Sequence, residues 1–369
     1  MPNITETVLE INLSALKDNY HYLQSKVKKG TKFMAVVKAY AYGSDAVEIA
    51  KELIDLGVDY LAVAYVHEGL VLRDAGIKTP ILVLHPQPIN FETLIDRGLE
   101  PSLYNTTVFN HFIEIAAQKN QLNYPVHLKF NTGLNRLGFG KNDIDYIISR
   151  LNETTAIKVK SVFSHLAASE DLSEKDFSLD QINRFKIISD EIINALDYVP
   201  MLHMCNTSGI LNYPSAHLDM VRSGIGIYGY GNSEKENKNL RPIASLKSII
   251  SQIHRIDKGE SVGYNRAYKS DGSNKTATIP VGHADGINRT YGNRKGWVII
   301  NGKKAAIIGN VCMDMLMVDV SNINCQEGDE VVIFGEGSRA DKLTEENNTI
   351  SYELITGISQ RVKRVFYRK

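Results

Sequence analysis

Short apolar runs separated by amphipathic stretches fill the first two-thirds of the chain. Residues 33–37, 60–63, 81–84, 126–130, 159–163 and 201–204 are compact and mostly apolar, as buried strands are. Between them, apolar positions recur with helical spacing over 13–27, 45–56, 67–75, 90–96, 107–119, 143–151 and 181–196. Strands that alternate with helices pair in parallel. Roughly eight such units before residue 240 predict a closed (β/α)8 barrel. An open doubly wound sheet is the alternative.

The texture changes after about residue 240. Alternating or β-branched runs cover 248–256, 276–281, 297–300, 304–308, 315–320 and 330–334. Asn301-Gly302, Glu327-Gly328-Asp329 and Gly335-Glu336-Gly337 read as turns between them. One late helix is expected over 352–358. The expected organisation is therefore a barrel over 1–240 and a mostly β domain over 241–369.

Composition narrows the function. Among 369 residues, 43% are hydrophobic and 23% charged, and the 42 basic side chains balance the 42 acidic ones. That balance leaves no footprint for nucleic acid or an anionic membrane. The basic stretch 361–369 reads as solvated surface. Met1 to Thr7 lacks the charged and apolar regions of a signal peptide, and no run approaches a spanning helix. Three cysteines without CxxC spacing, Cys205, Cys312 and Cys325, fit a reducing cytoplasm. No metal site is expected: HExxH is missing, and His203-Met204-Cys205 is too little.

The chemistry concentrates at strand ends. Lys38 closes the apolar run Ala35-Val36-Val37, and Tyr42 follows at the expected start of a helix. A helix start suits a phosphate, so one lysine and one phosphate seat stand together. Arg136, His165, the run Asn206-Thr207-Ser208-Gly209, and Arg222 each follow or end a strand, which places them on one barrel face. Gly224-Ile225-Gly226-Ile227-Tyr228-Gly229 matches GxGxxG. A poor helix follows it, and residues 244–250 carry no acid, so it reads as a loop for a single phosphate rather than a dinucleotide site.

Nine ordered blocks resemble the alanine racemase family of pyridoxal-phosphate enzymes (fold type III). They are VVKAYAYG, LKFNTGLNRLGF, FSHLAAS, HMCNTSG, VRSGIGIYG, VGYNRAY, PVGHADG, NVCMDMLMVDV and ISYEL. The resemblance implies that Lys38 forms a Schiff base with pyridoxal phosphate and acts as one of two bases. It implies that Tyr264 is the other base, reaching the opposite face of the substrate from a second subunit of a homodimer. Arg222 would bond the pyridine nitrogen, with His165 bearing on the ring and on Arg222. Arg136, Met313 and Asp314 would meet the substrate carboxylate. Tyr42, Asn206, Thr207, Gly224, Ile225 and Tyr352 would hold the cofactor, mostly at its phosphate. Lys129 matches a lysine that is carbamylated in some members.

Physical chemistry agrees with these implied roles. Racemisation moves a proton off one face of Cα and onto the other, so two opposed bases are required. A tyrosine base needs nearby cations, because its free pKa is about 10. Arginine essentially never gives up its proton, so Arg222 would leave the ring nitrogen bare and the electron sink weak. The family role would be supply of D-alanine for peptidoglycan. Departures from the usual pattern are Tyr40, Ser44-Asp45 and His283, which bear on the entrance and on amino-acid range. The alternatives are a broader amino-acid racemase, a related decarboxylase or aldolase, and a non-catalytic cofactor-binding barrel. Residues 241–369 argue against the last, and the racemase setting of Cys312 argues against a decarboxylase.

Overall fold

A computed structural model describes residues 4–335 and 337–369. The first strand, β1 (Val8–Asn12), is fully buried and does not belong to the barrel. Eight parallel strands then close on one another: β2 (Lys32–Val36), β3 (Tyr60–Val63), β4 (Ile81–Val83), β5 (Glu100–Leu103), β6 (Tyr124–Lys129), β7 (Ile157–Phe163), β8 (Met201–His203) and β9 (Met220–Ser223). β9 pairs back onto β2, with Met34 opposite Arg222. Helices lie between the strands because each presents one apolar stripe. In Ala46–Asp55 the buried positions are Ala46, Ile49, Ala50 and Leu53, spaced as one helical face. Asp45 starts that helix, accepting from the Val47 and Glu48 amides at 3.0 and 3.1 Å.

The rest of the chain forms β10 (Ala244–Ile249), β11 (Gln252–Ile256), β12 (Ser261–Val262), β13 (Tyr268–Lys269), β14 (Asn274–Ile279), β15 (Trp297–Ile300), β16 (Lys303–Ile308), β17 (Leu316–Asp319), β18 (Glu330–Phe334) and β19 (Lys363–Tyr367). Nine strands make one sheet in the order β11-β14-β17-β16-β15-β18-β10-β1-β19. β1 lies antiparallel to β10 and parallel to β19. The chain thus lends its first strand to the sheet before it builds the barrel. The closed barrel and the mostly β second unit are the expected architecture, and the open sheet is excluded.

Three local expectations are corrected. The run 248–256 is two strands, broken at Ile250–Ser251, because β10 and β11 pair with different partners. The tail 361–369 is not simply solvated surface. Lys363–Tyr367 is a strand, and the Arg364 guanidinium donates to the carbonyls of Gly43, Ile358, Ser359 and Val362. Tyr42 does not begin a right-handed helix either. Ala39, Tyr40, Ala41 and Tyr42 all have φ between 50° and 55°, a left-handed turn closed by Ala41 N–H to Val37 and Gly43 N–H to Ala39. Such a conformation costs roughly 1–2 kcal/mol per residue and persists only where neighbours impose it. Here Glu68 accepts from the Ala39 amide at 2.6 Å, Tyr40 donates to Asp45 at 2.7 Å, and Arg364 holds Gly43. The right-handed helix starts only at Ala46. The turn expected at Gly335-Glu336-Gly337 includes Glu336, which lies outside the described residues.

Among the described residues no helix is long and apolar enough to cross a membrane, and no cluster of His, Cys, Asp or Glu could hold a metal.

Candidate active site

The C-terminal ends of the barrel strands surround a cavity of about 680 Å³. Eleven of the residues singled out in the sequence line it: Lys38, Tyr42, Lys129, Arg136, His165, Asn206, Thr207, Arg222, Gly224, Ile225 and Tyr352. All but Tyr352, which comes from the late helix Ser351–Thr356, follow or end a barrel strand, so the closed barrel converges them.

Lys38 follows β2 one residue on, after Val37, and the left-handed turn after it fixes the backbone beside it. Burial lowers its ammonium below the ordinary lysine range, the Arg136 charge adds to this, and Glu68 opposes it. Lys129 is pulled further, to about 8, by burial and by the charges of Arg136, Arg222 and Lys38. An uncharged amine is the nucleophilic form, so both lysines are primed in the same way.

The opposite wall suits an anion. Among the described residues nothing accepts the amide hydrogens of Gly224 or Ile225, and both residues face the cavity. A Cβ on Gly224 would collide with the Tyr42 hydroxyl, so only glycine lets the two approach. Tyr42 stacks on Tyr228, with ring centroids 4.4 Å apart. Burial raises the phenol of Tyr42, which keeps it a donor. Asn206 caps the helix Thr207–Asn212 by accepting from the Gly209 amide, and Thr207 meets the Ser223 hydroxyl at 3.0 Å. The Tyr352 hydroxyl donates to Asn232 at 3.1 Å.

Arg222 is only 4% exposed. Its guanidinium donates to the ring nitrogens His203 Nδ1 and His165 Nδ1 and to the carbonyls of Ser164 and Met204. Burial and the Arg222 charge push both histidines well below the ordinary range, so both rings are neutral. His203 was weighed in the sequence only as a metal ligand and set aside. Its place beside Arg222 could have been found from the strand-end pattern, since it ends β8.

Tyr264, Met313 and Asp314 lie elsewhere. Tyr264 is 73% and Met313 59% exposed, and they share a shallow depression with Gly263, Cys312 and Met315 on the second domain. Asp314 is held by the Arg361 guanidinium at 2.7 Å. Within one chain these residues do not line the Lys38 cavity.

The alanine racemase N-terminal domain model matches residues 11–232, and the C-terminal domain model matches residues 243–366. The chain belongs to the alanine racemase family. A relative from Caldanaerobacter subterraneus subsp. tengcongensis, "Alanine racemase 2", is 36% identical over 98% of this chain and 95% of its own length. The solved alanine racemase of Clostridium difficile 630 superposes with a TM-score of 0.93 at 35% identity, covering 99% of this chain and 97% of that one. The Bartonella henselae alanine racemase, solved with covalently bound pyridoxal phosphate, superposes with a TM-score of 0.89 at 28% identity, covering 99% of this chain and all of that one.

Proposed function

We propose that this chain is a pyridoxal-phosphate enzyme that interconverts L- and D-alanine in a site shared by two copies. The observation that carries the reading is the cavity itself. It brings together a half-buried lysine whose ammonium is lowered by burial, two unclaimed backbone amides, and a glycine at which any Cβ would strike Tyr42. Those groups fit the cofactor. Lys38 would hold it covalently. Tyr42, Thr207, Gly224, Ile225 and Tyr352 would seat its phosphate, beside Asn206, and Arg222 would face its ring nitrogen, with His165 behind it. When bound, the cofactor supplies delocalisation that acidifies Cα of an attached amino acid.

The protein's own groups do the rest. Arg136 would bind the substrate carboxylate at the cavity wall, with the Met313 amide and Asp314 closing on it from the second copy. Lys38 Nζ would hold or take the proton on one face of Cα. The hydroxyl of Tyr264 of the partner subunit would serve the other face. One chain leaves that hydroxyl in the open, on a patch with exposed Met313 and Met315, which supports a cover of protein across the cavity mouth. Arg222 keeps its proton, so no acid is offered to the ring nitrogen. The division near residue 240 assigns the first base to the barrel and the second to the β domain. The amine of Lys129, lowered to about 8 and ringed by cations, would in its neutral form add carbon dioxide and release a proton, giving a carbamate anion beside Arg136. Three free cysteines fit a cytoplasmic enzyme, and the product would serve peptidoglycan assembly.

The test is incubation of the loaded protein with L-alanine in deuterated water. Racemisation gives D-alanine carrying deuterium at Cα and no loss of carboxylate. Release of carbon dioxide or pyruvate as the main product would reject the reading.

A further inference from the structure

The buried side chain Arg222 has no acid among its hydrogen-bond partners, although its charge lies buried near the end of β9. Burial draws its guanidinium down to about 10. A buried cation without a counter-charge is costly, so the question is where the compensation comes from.

A continuous file of side chains leads away from Arg222 across four strands. His203 on β8 meets the Ser161 hydroxyl on β7 at 2.9 Å, Nε2 to Oγ. The same hydroxyl meets His127 Nδ1 on β6 at 2.6 Å. His127 Nε2 meets Glu100 Oε2 at the start of β5 at 2.7 Å. The Tyr60 hydroxyl bonds the same carboxylate. His127, Ser161 and His203 are fully buried. The file therefore descends from the active face, where β9 ends, to the N-terminal end of β5 on the opposite rim.

Chemistry fixes its direction. An arginine can only donate, so His203 Nδ1 is bare and its proton sits on Nε2. That proton goes to Ser161 Oγ, which frees the hydroxyl hydrogen for His127 Nδ1. His127 then carries its proton on Nε2, facing a carboxylate that only accepts. Both ends are forced, so every bond between them points the same way. We infer that Glu100, His127, Ser161 and His203 form a one-way hydrogen-bond relay that positions Arg222 and carries the effect of the Glu100 charge to it. These are positioning residues; none touches the reacting atoms. Reversing the Ser161–His203 bond would put the hydrogen of the neutral ring on His203 Nδ1, against the Arg222 donor, and drive the guanidinium from its place. The consequence for catalysis rests on the reading that Arg222 faces the cofactor ring.

The test uses full-length protein with 15N-labelled histidine. Long-range proton–nitrogen spectra of the cofactor-free protein report which ring nitrogen carries the hydrogen, with signals assigned through His127→Gln and His203→Asn. Both rings are expected as neutral Nε2–H forms. A hydrogen on Nδ1 of either ring, or a doubly protonated His127, overturns the relay. In the loaded enzyme, Ser161→Ala should shift the visible absorption of the cofactor. It should also lower kcat about tenfold, the effect of one hydrogen bond, with KM little changed. Ser161→Thr, which keeps the hydroxyl, should restore both. If Ser161→Ala does not fold, Glu100→Gln, of the same shape without the charge, is expected to shift the absorption instead. An unshifted band in a folded Ser161→Ala or Glu100→Gln protein overturns the relay when Arg222→Lys does shift it. If Arg222→Lys leaves the band in place as well, the ring assignment of Arg222 fails, and the histidine spectra alone decide the relay.

Discussion

Lys38 and Tyr264 stand in different surroundings within one chain. Lys38 lines the cavity at the barrel mouth, while Tyr264 is 73% exposed in a depression on the second domain. Two bases for one carbon must meet across that carbon. In a shared site, a second copy would bring them together.

Gly224→Ala sets a methyl group against the Tyr42 hydroxyl. The strand ladder of β9 ends one residue earlier, so the barrel should survive. Cofactor affinity is expected to fall at least tenfold, about 1.4 kcal/mol. Fluorescence titration of the cofactor-free protein measures it. Unchanged affinity, with an unchanged melting temperature, would show that the phosphate sits elsewhere.

Lys38→Ala should remove the covalent attachment. Borohydride treatment of the parent enzyme should fix the label on one tryptic peptide, the one containing Lys38, and peptide mass spectrometry reads it out. A label on Lys129 would mean that the other lysine with a lowered pKa carries the cofactor.

Lys129 makes stability depend on pH. Below about 8 its amine is charged in both folded and unfolded chains, so folding bears the full cost of burying that charge. Between about 8 and the free value of about 10.4 the folded amine is neutral while the unfolded one still binds a proton, so its contribution to stability rises with pH. In buffer free of carbon dioxide, cofactor-free Lys129→Met should be more stable than the parent at pH 7 by about 1–3 kcal/mol. The gap should close towards pH 10. Urea denaturation at the two pH values checks this. With 13C-bicarbonate, a carbamate signal should appear in the parent and be missing from the variant.

Much of the barrel was legible because buried parallel strands are short and apolar on both faces. The run 33–37 with Lys38 at its end is the clearest case, and the strand-end rule then put Arg136, His165 and Arg222 on one face. β5 was not legible. Its sequence Glu100-Pro101-Ser102-Leu103 carries a polar residue at either side of a proline, which argues against a central strand. The acid bonds His127 at the end of the buried file from Arg222, a long-range partner that a local apolar pattern does not encode. β1 was missed for a different reason. Its partners β10 and β19 lie more than two hundred residues away, and no local pattern encodes that pairing. The left-handed turn after Lys38 was also invisible, since Ala-Tyr-Ala-Tyr has no residue that favours positive φ. Contacts from Glu68 and Arg364 impose it. Tyr264 carried no pattern signal, and only resemblance pointed to it.

Arg364 joins the tail to that turn. Arg364→Ala would leave four carbonyls without their donor. The expected cost is about 2–4 kcal/mol of stability, from hydrogen bonds to a charged group. A lowered urea midpoint with a loss of cofactor affinity would tie the tail to the lysine turn. Full stability would show that water replaces it.

The shared site is tested most directly by mixing two inactive chains. Lys38→Ala and Tyr264→Phe should each be nearly inactive alone. In a mixed dimer, one site receives both defects and the other receives neither. Random exchange of equal amounts gives about half mixed dimers, hence roughly a quarter of parent activity. Recovery to that level, with heterodimers confirmed by mass, is the predicted result. No recovery in confirmed heterodimers would mean that both bases come from one chain, and the shared-site account would be wrong.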